Sequence, residues 1–231
     1  QNYNFFYEPF FVDRKKSDNK ILNIIYKIFF FVQIVFFVKK IEFKLNKIEN
    51  RLNEIDYSKL EIDGEHKIKE RDYYLSREYL NEVRYQGKNF TGFPDVQPRY
   101  VLLDKEIQKH KSDITEYFFI RRECLDATYP AGGFCSWHNN ANVPGWGIMM
   151  SWSETGEGDF RYLDEKDEVI VVQDKKGWSN FKHFYFGNYL EPEKLVYHAS
   201  SNDCLRYTMA FNFGQDKKIY EETLDILVNE K

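Results

Sequence analysis

The stretch RYTMAFNFG, residues 206–214, is the last of seven short β-type runs in the second half of the chain. Turn signals such as ETGEGD and DKKGW separate neighbouring runs. Short strands in regular succession, without helices between them, predict a β-sandwich or a barrel. The other six runs are TEYFFIRRE (115–123), GIMMSWSE (147–154), DFRYL (159–163), EVIVVQ (168–173), KHFYFG (182–187) and LVYHAS (195–200).

Helical patterns flank this β-rich part at both ends. The tail IYEETLDILVNE, residues 219–230, predicts a closing helix, and REYLNEVRYQG predicts a short helix that ends at Gly87. We therefore expect a mainly β fold with flanking helices, an α+β arrangement. We divide the chain into a helical appendage, residues 1–69, and a β-rich body, residues 70–231.

The appendage contains one long predicted helix over residues 21–56. Its first part, residues 21–38, is apolar nearly all round, and as a helix it would span about 27 Å, close to the thickness of a bilayer core. Its second part carries apolar residues spaced alternately three and four apart, which is the pattern of a coiled-coil seam. The seam comprises Phe31, Ile34, Val38, Ile41, Leu45, Ile48, Leu52 and Ile55.

Two interpretations of this helix stay open. In the first, residues 21–38 are a membrane anchor, although Lys27 lies inside the run and a lysine at mid-bilayer costs roughly 2.5–3.5 kcal/mol. In the second, the helix packs on the body of its own chain, or residues 31–55 join copies of the chain in a homo-oligomer.

Composition and charge narrow the classes of partner. The 231 residues are 42% hydrophobic and 18% aromatic, which suffices for a buried core and favours β-rich packing. Residues 1–51 carry ten Lys and Arg against five Asp and Glu, whereas the whole chain has a net charge of −4. The acidic remainder argues against nucleic acid as a partner. The basic front fits contact with an anionic membrane surface, or simply a solvated helix.

The cysteines indicate a compartment. Cys124, Cys135 and Cys204 are odd in number and widely spaced, which argues against a disulfide framework and against a structural zinc site. A reducing environment is the simplest interpretation, so we expect a cytoplasmic protein with a candidate membrane tether. Because the sequence begins at Gln1 rather than Met, we also expect a fragment or a processed product.

Five residues indicate chemistry: His138 and Asn140 in GGFCSWHNN, His198 in LVYHAS, and Arg206 with Thr208 in RYTMAFNFG. In an extended segment the side chains of residues i and i+2 point to the same side. Those of His138 and Asn140 are therefore predicted to reach one point in space, and those of Arg206 and Thr208 to share one face of a strand. Two His and one oxygen ligand form the kind of facial triad that holds non-haem Fe(II). A strand-borne Arg suits a two-pronged contact with a carboxylate.

Each of these residues also has a plain structural interpretation. A lone His beside an aromatic residue is commonly a packed, hydrogen-bonded His, and Thr208 suits any strand face. Arg206 would in that case form a buried ion pair with Asp203 or Glu154.

The order of the five residues resembles that of the 2-oxoglutarate- and Fe(II)-dependent oxygenases, in the prolyl-4-hydroxylase-like branch of bacteria and phages. The family pattern is His-x-Asp, then a distant His, then Arg about ten residues later, often as Arg-x-Ser. This chain has HNN at 138–140, His198, and RYT at 206–208, and its stretch PGWGIMMSWSETGEGDFRY also resembles such domains. The similarity covers residues 118–214.

The resemblance implies a double-stranded β-helix, or jelly roll, in which His138, Asn140 and His198 are the iron ligands and the catalytic residues. It implies that Arg206 and Thr208 bind the cosubstrate 2-oxoglutarate, with ascorbate as a reductant. The implied activity is that of an oxidoreductase, a dioxygenase that hydroxylates an unactivated C–H bond. The implied substrate is a peptidyl residue of the prolyl type, or a small molecule.

Asn140 departs from the family pattern, because the family has a carboxylate there and an amide oxygen is neutral and a weaker ligand. Three interpretations follow. Asn140 still ligates iron in a working enzyme; water or another anion fills the position; or catalysis is lost and the domain is a jelly-roll binding module on a coiled-coil stalk. A cupin-like sugar-binding or isomerase domain is a further alternative, although it would need more His or Glu ligands.

Overall fold

The computed structural model describes residues 20–87, 96–120 and 124–228, and of residues 20–34, 86–87, 179–180 and 228 only the backbone. The helices are α1 (Lys20–Glu54), α2 (Arg71–Tyr74), α3 (Arg77–Gly87), α4 (Lys105–Tyr117) and α5 (Lys217–Val228). The strands are β1 (Ile62–Asp63), β2 (Arg99–Tyr100), β3 (Leu125–Tyr129), β4 (Phe134–His138), β5 (Gly145–Ser153), β6 (Gly158–Leu163), β7 (Val169–Gln173), β8 (Gly177–Phe186), β9 (His198–Asn202) and β10 (Arg206–Gly214).

Strands β3 to β10 form two four-stranded antiparallel sheets. Sheet I has the order β3-β10-β5-β8, and sheet II has the order β4-β9-β6-β7. The chain therefore changes sheet at every connection except the β6–β7 hairpin. This combination of helices and antiparallel sheets is compatible with a jelly-roll fold. A separate short pair joins β1 and β2.

Most of the predicted β-type runs are strands. The runs at 147–154, 159–163 and 168–173 correspond to β5, β6 and β7, and RYTMAFNFG is β10 from its first residue to its last. The run at 182–187 is the end of the longer β8, whereas β9 begins only at His198. The helix that was predicted to end at Gly87 is α3, and the predicted closing helix is α5.

The strand predicted at 115–123 is wrong where it can be compared, because residues 115–117 belong to α4 and 118–120 are not a strand, while residues 121–123 lie outside the described residues. The carboxylate of Asp104 begins this helix by accepting the backbone N–H groups of Glu106 and Ile107 at 3.0 Å. The helical signal was a row of residues at the spacing of one helix face, of which Ile107 and Ile114 are buried against sheet I.

The second half of α1 packs on the body of its own chain. Three residues of the predicted seam, Ile41, Ile48 and Leu52, are buried in the core beside sheet I. Two ion pairs join α1 to α4 along its flank, one between Lys44 and Asp113 and one between Arg51 and Asp104. These described residues therefore match the interpretation in which the helix covers the body, and a homo-oligomeric contact through 31–55 stays a prediction.

The candidate membrane segment, 21–38, lies largely outside the residues whose side chains are described. Among the described residues, no helix combines the length and the apolar character needed to cross a membrane. The three cysteines are buried, and none of them forms a disulfide bond within the described residues.

Each sheet has one face covered by helices. On sheet I, alternate residues of β5 and β10 face α1, α4 and α5 and form the main core. On sheet II, Phe134, Trp137 and Ala199 pack against residues of α2 and α3. The opposite faces of the two sheets enclose the space that contains the candidate site. The main-core residues of β5 and β10 are Ile148, Met150, Trp152, Tyr207, Met209, Phe211 and Phe213.

Candidate functional site

Two histidines face each other where β4 and β9 pair. His138 is the last residue of β4, His198 is the first of β9, and the two are direct partners in the antiparallel register. The register shifts between Cys135 and His138, and an irregularity of this kind re-aims the side chains beside it. As a result the two rings lie with their centroids 4.2 Å apart, and both side chains are buried.

Backbone carbonyl groups fix the orientation of both rings. His138 Nδ1 lies 2.7 Å from the carbonyl oxygen of Ser136, and His198 Nδ1 lies 3.0 Å from that of Val196. A carbonyl oxygen only accepts, so each Nδ1 carries the proton and donates it. Burial, together with the neighbouring His138, lowers the pKa of His198 well below its ordinary value, so the His198 ring is neutral at pH 7. Its Nε2 then presents a lone pair, as a metal-ligating imidazole requires.

Asn140 meets this lone pair from the turn that follows β4. Its amide nitrogen lies 3.3 Å from His198 Nε2, which makes the amide a donor to the ring. The neighbouring Asn139 has a different role, because its side-chain oxygen accepts the backbone N–H of Ala141 at 3.1 Å. Sequence reasoning placed His138 and Asn140 in one extended segment, whereas the strand ends at His138. The three residues nevertheless come together, with Asn140 reaching His198 across the turn.

Aromatic rings wall the histidine pair. The ring of Phe186, at the end of β8, stacks on His198 at a centroid distance of 4.9 Å and an angle of 9°. Phe160 of β6 lies 5.6 Å from the same ring. His198 is therefore enclosed by His138, Phe186 and Phe160, which explains its burial and limits the access of water.

Arg206 begins β10 and is almost completely buried, with 1% of its surface exposed. Its Nη1 donates to Thr208 Oγ1 at 2.8 Å, and its Nη2 donates to Ser151 Oγ at 3.1 Å. Its Nε donates to Asp174 Oδ2 at 2.7 Å, and the side chain of Asp174 is fully buried. Because Asp174 follows β7 of sheet II, this ion pair ties the two sheets together.

The ion pair was predicted with the wrong partners. Asp203 pairs instead with Arg71, and Glu154 accepts a weak hydrogen bond from the backbone of Leu205 at 3.4 Å. The true partner, Asp174, lies 32 residues before Arg206 in a turn of the other sheet. Only the pairing of strands brings them together, so spacing along the chain gave no signal for it.

Lys182 of β8 is a further residue that sequence reasoning did not select. Its ammonium nitrogen is buried and has no hydrogen-bond partner among the described residues. It lies 5.0 Å from the centre of the Phe160 ring. Burial lowers the pKa of Lys182 to about 8; the charge of Arg206 acts in the same direction, and that of Asp174 opposes it.

The donor set fits a weakly held metal ion. Two imidazoles with fixed tautomers supply Nε2 atoms, and the amide of Asn140 is the third group near them. Within the described ranges, His, Cys, Asp and Glu side chains nowhere form a group of three or more that could hold a metal ion. Any metal here would therefore be bound by two histidines and a neutral oxygen, not by two histidines and a carboxylate.

No protein-family model and no curated protein matches this chain. Solved structures resemble it at low similarity. A prolyl-4-hydroxylase from Pseudomonas putida has a TM-score of 0.32 and 16% identity, over 63% of this chain and 88% of that one. A prolyl hydroxylase from Trichoplax adhaerens, in complex with a hypoxia inducible factor peptide fragment, has a TM-score of 0.36 and 15% identity, over 80% and 95%.

A third solved structure is Drosophila melanogaster CENP-C in a complex, with a TM-score of 0.29 and 10% identity over 59% of this chain and 98% of that one. All three TM-scores lie well below 0.5. The functional proposal below therefore rests on the residues and strand order of this chain.

Proposed function

We propose that this chain is an Fe(II)- and 2-oxoglutarate-dependent dioxygenase that hydroxylates an unactivated C–H bond. The observation that carries the proposal is the buried histidine pair, His138 and His198, whose Nδ1 atoms are both engaged by backbone carbonyl groups. That arrangement leaves the Nε2 atom of each ring as the nitrogen available to a metal ion, and it is the usual arrangement around a histidine-bound metal.

The strand order supports the fold that such a site needs. From β3 to β10 the chain alternates between sheets I and II on both sides of one hairpin, which is the connectivity of a double-stranded β-helix. We propose this assignment, with the long helix α1 preceding the jelly roll. The histidines then project from sheet II, and Arg206 with Thr208 projects from sheet I toward the same interior.

Asn140 is proposed as the third ligand. A half-turn of its side-chain amide would exchange Nδ2 for Oδ1 beside His198, and the two orientations differ only in their hydrogen bonds. The neutral oxygen would complete a facial set with a lower affinity than a carboxylate. Phe186 and Phe160 would limit the access of water to this set.

Arg206 and Thr208 are proposed to hold the far carboxylate of 2-oxoglutarate. The guanidinium group fixes Thr208 Oγ1 and Ser151 Oγ in place, so that both hydroxyl groups are oriented before a ligand arrives. When bound, iron and 2-oxoglutarate would supply the oxygen chemistry that hydroxylates the substrate. A prolyl-type peptidyl residue is the proposed substrate.

The test is an anaerobic Fe(II) titration followed by measurement of succinate release from 2-oxoglutarate in air. We expect succinate from the parent protein and none from His198→Ala. Asn140→Asp should bind Fe(II) more tightly by roughly ten-fold, or ~1.4 kcal/mol. Asn139→Asp is the matched control, because its side chain caps the turn instead of meeting His198. It should leave iron affinity unchanged.

A binding module without catalysis is the second candidate. Two observations favour it: three of the five N–H donors of Arg206 already have partners, and the amide of Asn140 already caps His198. If the parent protein binds no iron and releases no succinate, while Asn140→Asp gains iron, the site is a retired oxygenase site and this second candidate replaces the first.

A further inference from the structure

The solvent-facing side of α1 presents two exposed phenylalanines in one row. Phe36 is 60% exposed and Phe43 is 56% exposed, and they are separated by about two helical turns. Lys40 and Lys47 are also exposed, and each lies four residues after one of the rings. Residues spaced in this way lie on one side of a helix, so the four side chains form a single row, which we name the α1 stripe.

The opposite side of α1 is already occupied by the body of the chain. Ile41, Ile48 and Leu52 are buried in the main core, and Lys44 pairs with Asp113 of α4 on the flank. The helix is therefore held by its inner side and by this flank, while the α1 stripe faces away from the core. A helix that is merely solvated carries charged and polar residues on its outer side, not aromatic ones.

The lysines of the α1 stripe lie against its aromatic rings. The ammonium nitrogen of Lys40 is 4.6 Å from the centre of the Phe36 ring, and that of Lys47 is 5.6 Å from the centre of the Phe43 ring. Among the described residues, neither lysine forms an ion pair with a carboxylate. Each ring therefore has a cation beside it that is available to an external anion.

The acidic residues of this part of α1 lie on its other side. Glu42 and Glu49 each follow a lysine of the α1 stripe by two residues, which turns them about 200° around the helix. The stripe is therefore basic and aromatic without an adjacent carboxylate on the same helix. Basic and aromatic residues together are the composition of helices that lie in the interface of an anionic membrane.

We propose that the α1 stripe docks on the surface of an anionic lipid bilayer. The two phenyl rings would enter the headgroup region, and the two ammonium groups would extend along them to the phosphate and carboxylate groups of the lipids. The negative potential of such a surface attracts basic side chains, although the whole chain has a net charge of −4. The attraction is therefore local to the stripe and weakens as salt is added.

Two further observations favour a lipid surface over a second copy of the chain. The backbone of α1 continues as a helix to Lys20, and the sequence from Ile21 to Val35 contains a single charged residue, Lys27. An apolar segment thus adjoins the stripe on the same helix. A coiled coil between copies would instead use the predicted seam, whose residues 41, 48 and 52 are buried in the core of their own chain.

Docking through the α1 stripe would leave the candidate site accessible. The stripe lies on the outer side of the helices that cover sheet I, whereas His138 and His198 belong to sheet II and face the space between the sheets. The inference therefore does not rest on the proposed function, and it concerns where the protein is held, not the reaction.

The experiment measures flotation of the full chain with vesicles at low and high salt. One set is phosphatidylcholine alone, and the other contains about one quarter phosphatidylserine. We expect the parent to bind the second set more tightly, and less so at high salt. The double variant Lys40→Glu, Lys47→Glu should lose at least about ten-fold in partition coefficient. The double variant Phe36→Ser, Phe43→Ser should also bind more weakly, at both salt concentrations.

Two controls match these variants. Lys166→Glu with Lys176→Glu changes the net charge equally, at exposed positions in the turns on either side of β7, and should bind as the parent does. Tyr85→Ser removes an aromatic ring that is 74% exposed on α3, and it should also leave binding unchanged. Succinate release measured without vesicles should be equal in the parent and in all of these variants, so that failure of the proposed function is distinguishable from failure of the docking.

Four outcomes would overturn the inference. The first is no binding of the folded parent to vesicles that contain phosphatidylserine, and the second is equal binding to both sets of vesicles. The third is an equal loss in the two charge-reversal variants, which would mean that only net charge matters. The fourth is a parent that forms dimers in solution, does not bind vesicles, and becomes monomeric in Phe36→Ser, Phe43→Ser. That result would assign the α1 stripe to a contact between copies of the chain.

Discussion

On the helix-facing side of sheet I, Tyr207, Met209 and Phe211 are completely buried among apolar residues of α1, α4 and α5. On the other side of the same strand, Arg206 and Thr208 lie in a polar interior with an ion pair and oriented hydroxyl groups. One strand therefore presents two kinds of surface, because side chains alternate between its faces.

The helix-facing side of β10 contributes mainly to stability, and the inner side is the one proposed to bind a ligand. Apolar burial on the helix-facing side contributes most of the free energy of folding, at about 25 cal/mol per Å². Polar groups on the inner side cost free energy to bury and are tolerated only with partners. Among the described residues the inner face contains one buried ammonium without a hydrogen-bond partner, Lys182, and such a group opposes folding.

Truncation on the helix-facing side should produce the largest effect. Phe211 is completely buried and meets Phe118 edge to face, with centroids 4.9 Å apart. Phe211→Ala should lower the free energy of unfolding by ~3–5 kcal/mol, measured by urea denaturation. Phe181→Ala is the control, since Phe181 faces the same side from the edge strand and is 37% exposed. Equal losses in the two variants would show that the helices do not seal this face.

Removing the buried ammonium group of Lys182 should stabilise the protein, whereas truncating Phe211 should destabilise it. Lys182→Met should raise the free energy of unfolding at pH 7 by about 2 kcal/mol, because the charged group is held in a poorly solvated place. The pKa of Lys182 falls from 10.5 in the unfolded chain to about 8 in the folded protein. The penalty is therefore complete below about pH 8 and declines as the pH rises from about 8 toward 10.5.

The difference in stability between Lys182→Met and the parent should accordingly shrink over that pH range, as followed by thermal denaturation. A variant that is less stable than the parent at pH 7 would mean that Lys182 already has a partner within the folded chain.

Tyr207 tests a polar contact at the border of the helix-facing side. Its hydroxyl group donates to Asp126 Oδ2 at 3.0 Å, and burial raises its pKa well above the ordinary value. Asp126 also receives Lys111 and Gln108 of α4, so this carboxylate joins helix, edge strand and central strand. Tyr207→Phe should cost ~1–2 kcal/mol in urea denaturation. Tyr220→Phe, whose hydroxyl meets only His183 among the described contacts, should cost less.

Many of the strands could be predicted from the sequence, and the one that was predicted wrongly has a physical explanation. β10 was predicted in full, because alternation and aromatic content are local properties of RYTMAFNFG. The strand at 115–123 was wrong, because the aromatic residues at 117–119 outweighed the helical spacing of Ile107 and Ile114. Residues 147–154 and 168–173 were predicted correctly for the same local reason as β10.

Some residues of the candidate site could likewise be selected from the sequence, and others could not. His138, Asn140 and His198 could be selected by type and order along the chain, and the structure brings them together. Asp174 and Lys182 could not, because each gains its importance only from contacts across the interior between the sheets. A lysine in a strand of aromatic residues becomes informative only once its face of the sheet is known.

The smallest effect is expected from a single inner-face hydroxyl group. Thr208 accepts from Arg206 Nη1 at 2.8 Å and lies 3.4 Å from Ser151 Oγ. Thr208→Val keeps the shape but removes this acceptor, and it should lower the free energy of unfolding by only ~0.5–1.5 kcal/mol, because the half-buried site lets water replace the lost bond.

Its effect on binding should be larger in proportion, because the hydroxyl group belongs to the site proposed for the far carboxylate of 2-oxoglutarate. Thr208→Val should weaken binding of 2-oxoglutarate by several-fold, or about 1 kcal/mol, measured by calorimetry with Fe(II) under anaerobic conditions. Thr208→Ser retains the hydroxyl group and should bind as the parent does. If Thr208→Val and Thr208→Ser bind 2-oxoglutarate equally, the hydroxyl group takes no part in binding, and the contrast between a folding face and a binding face of β10 would rest on Arg206 alone.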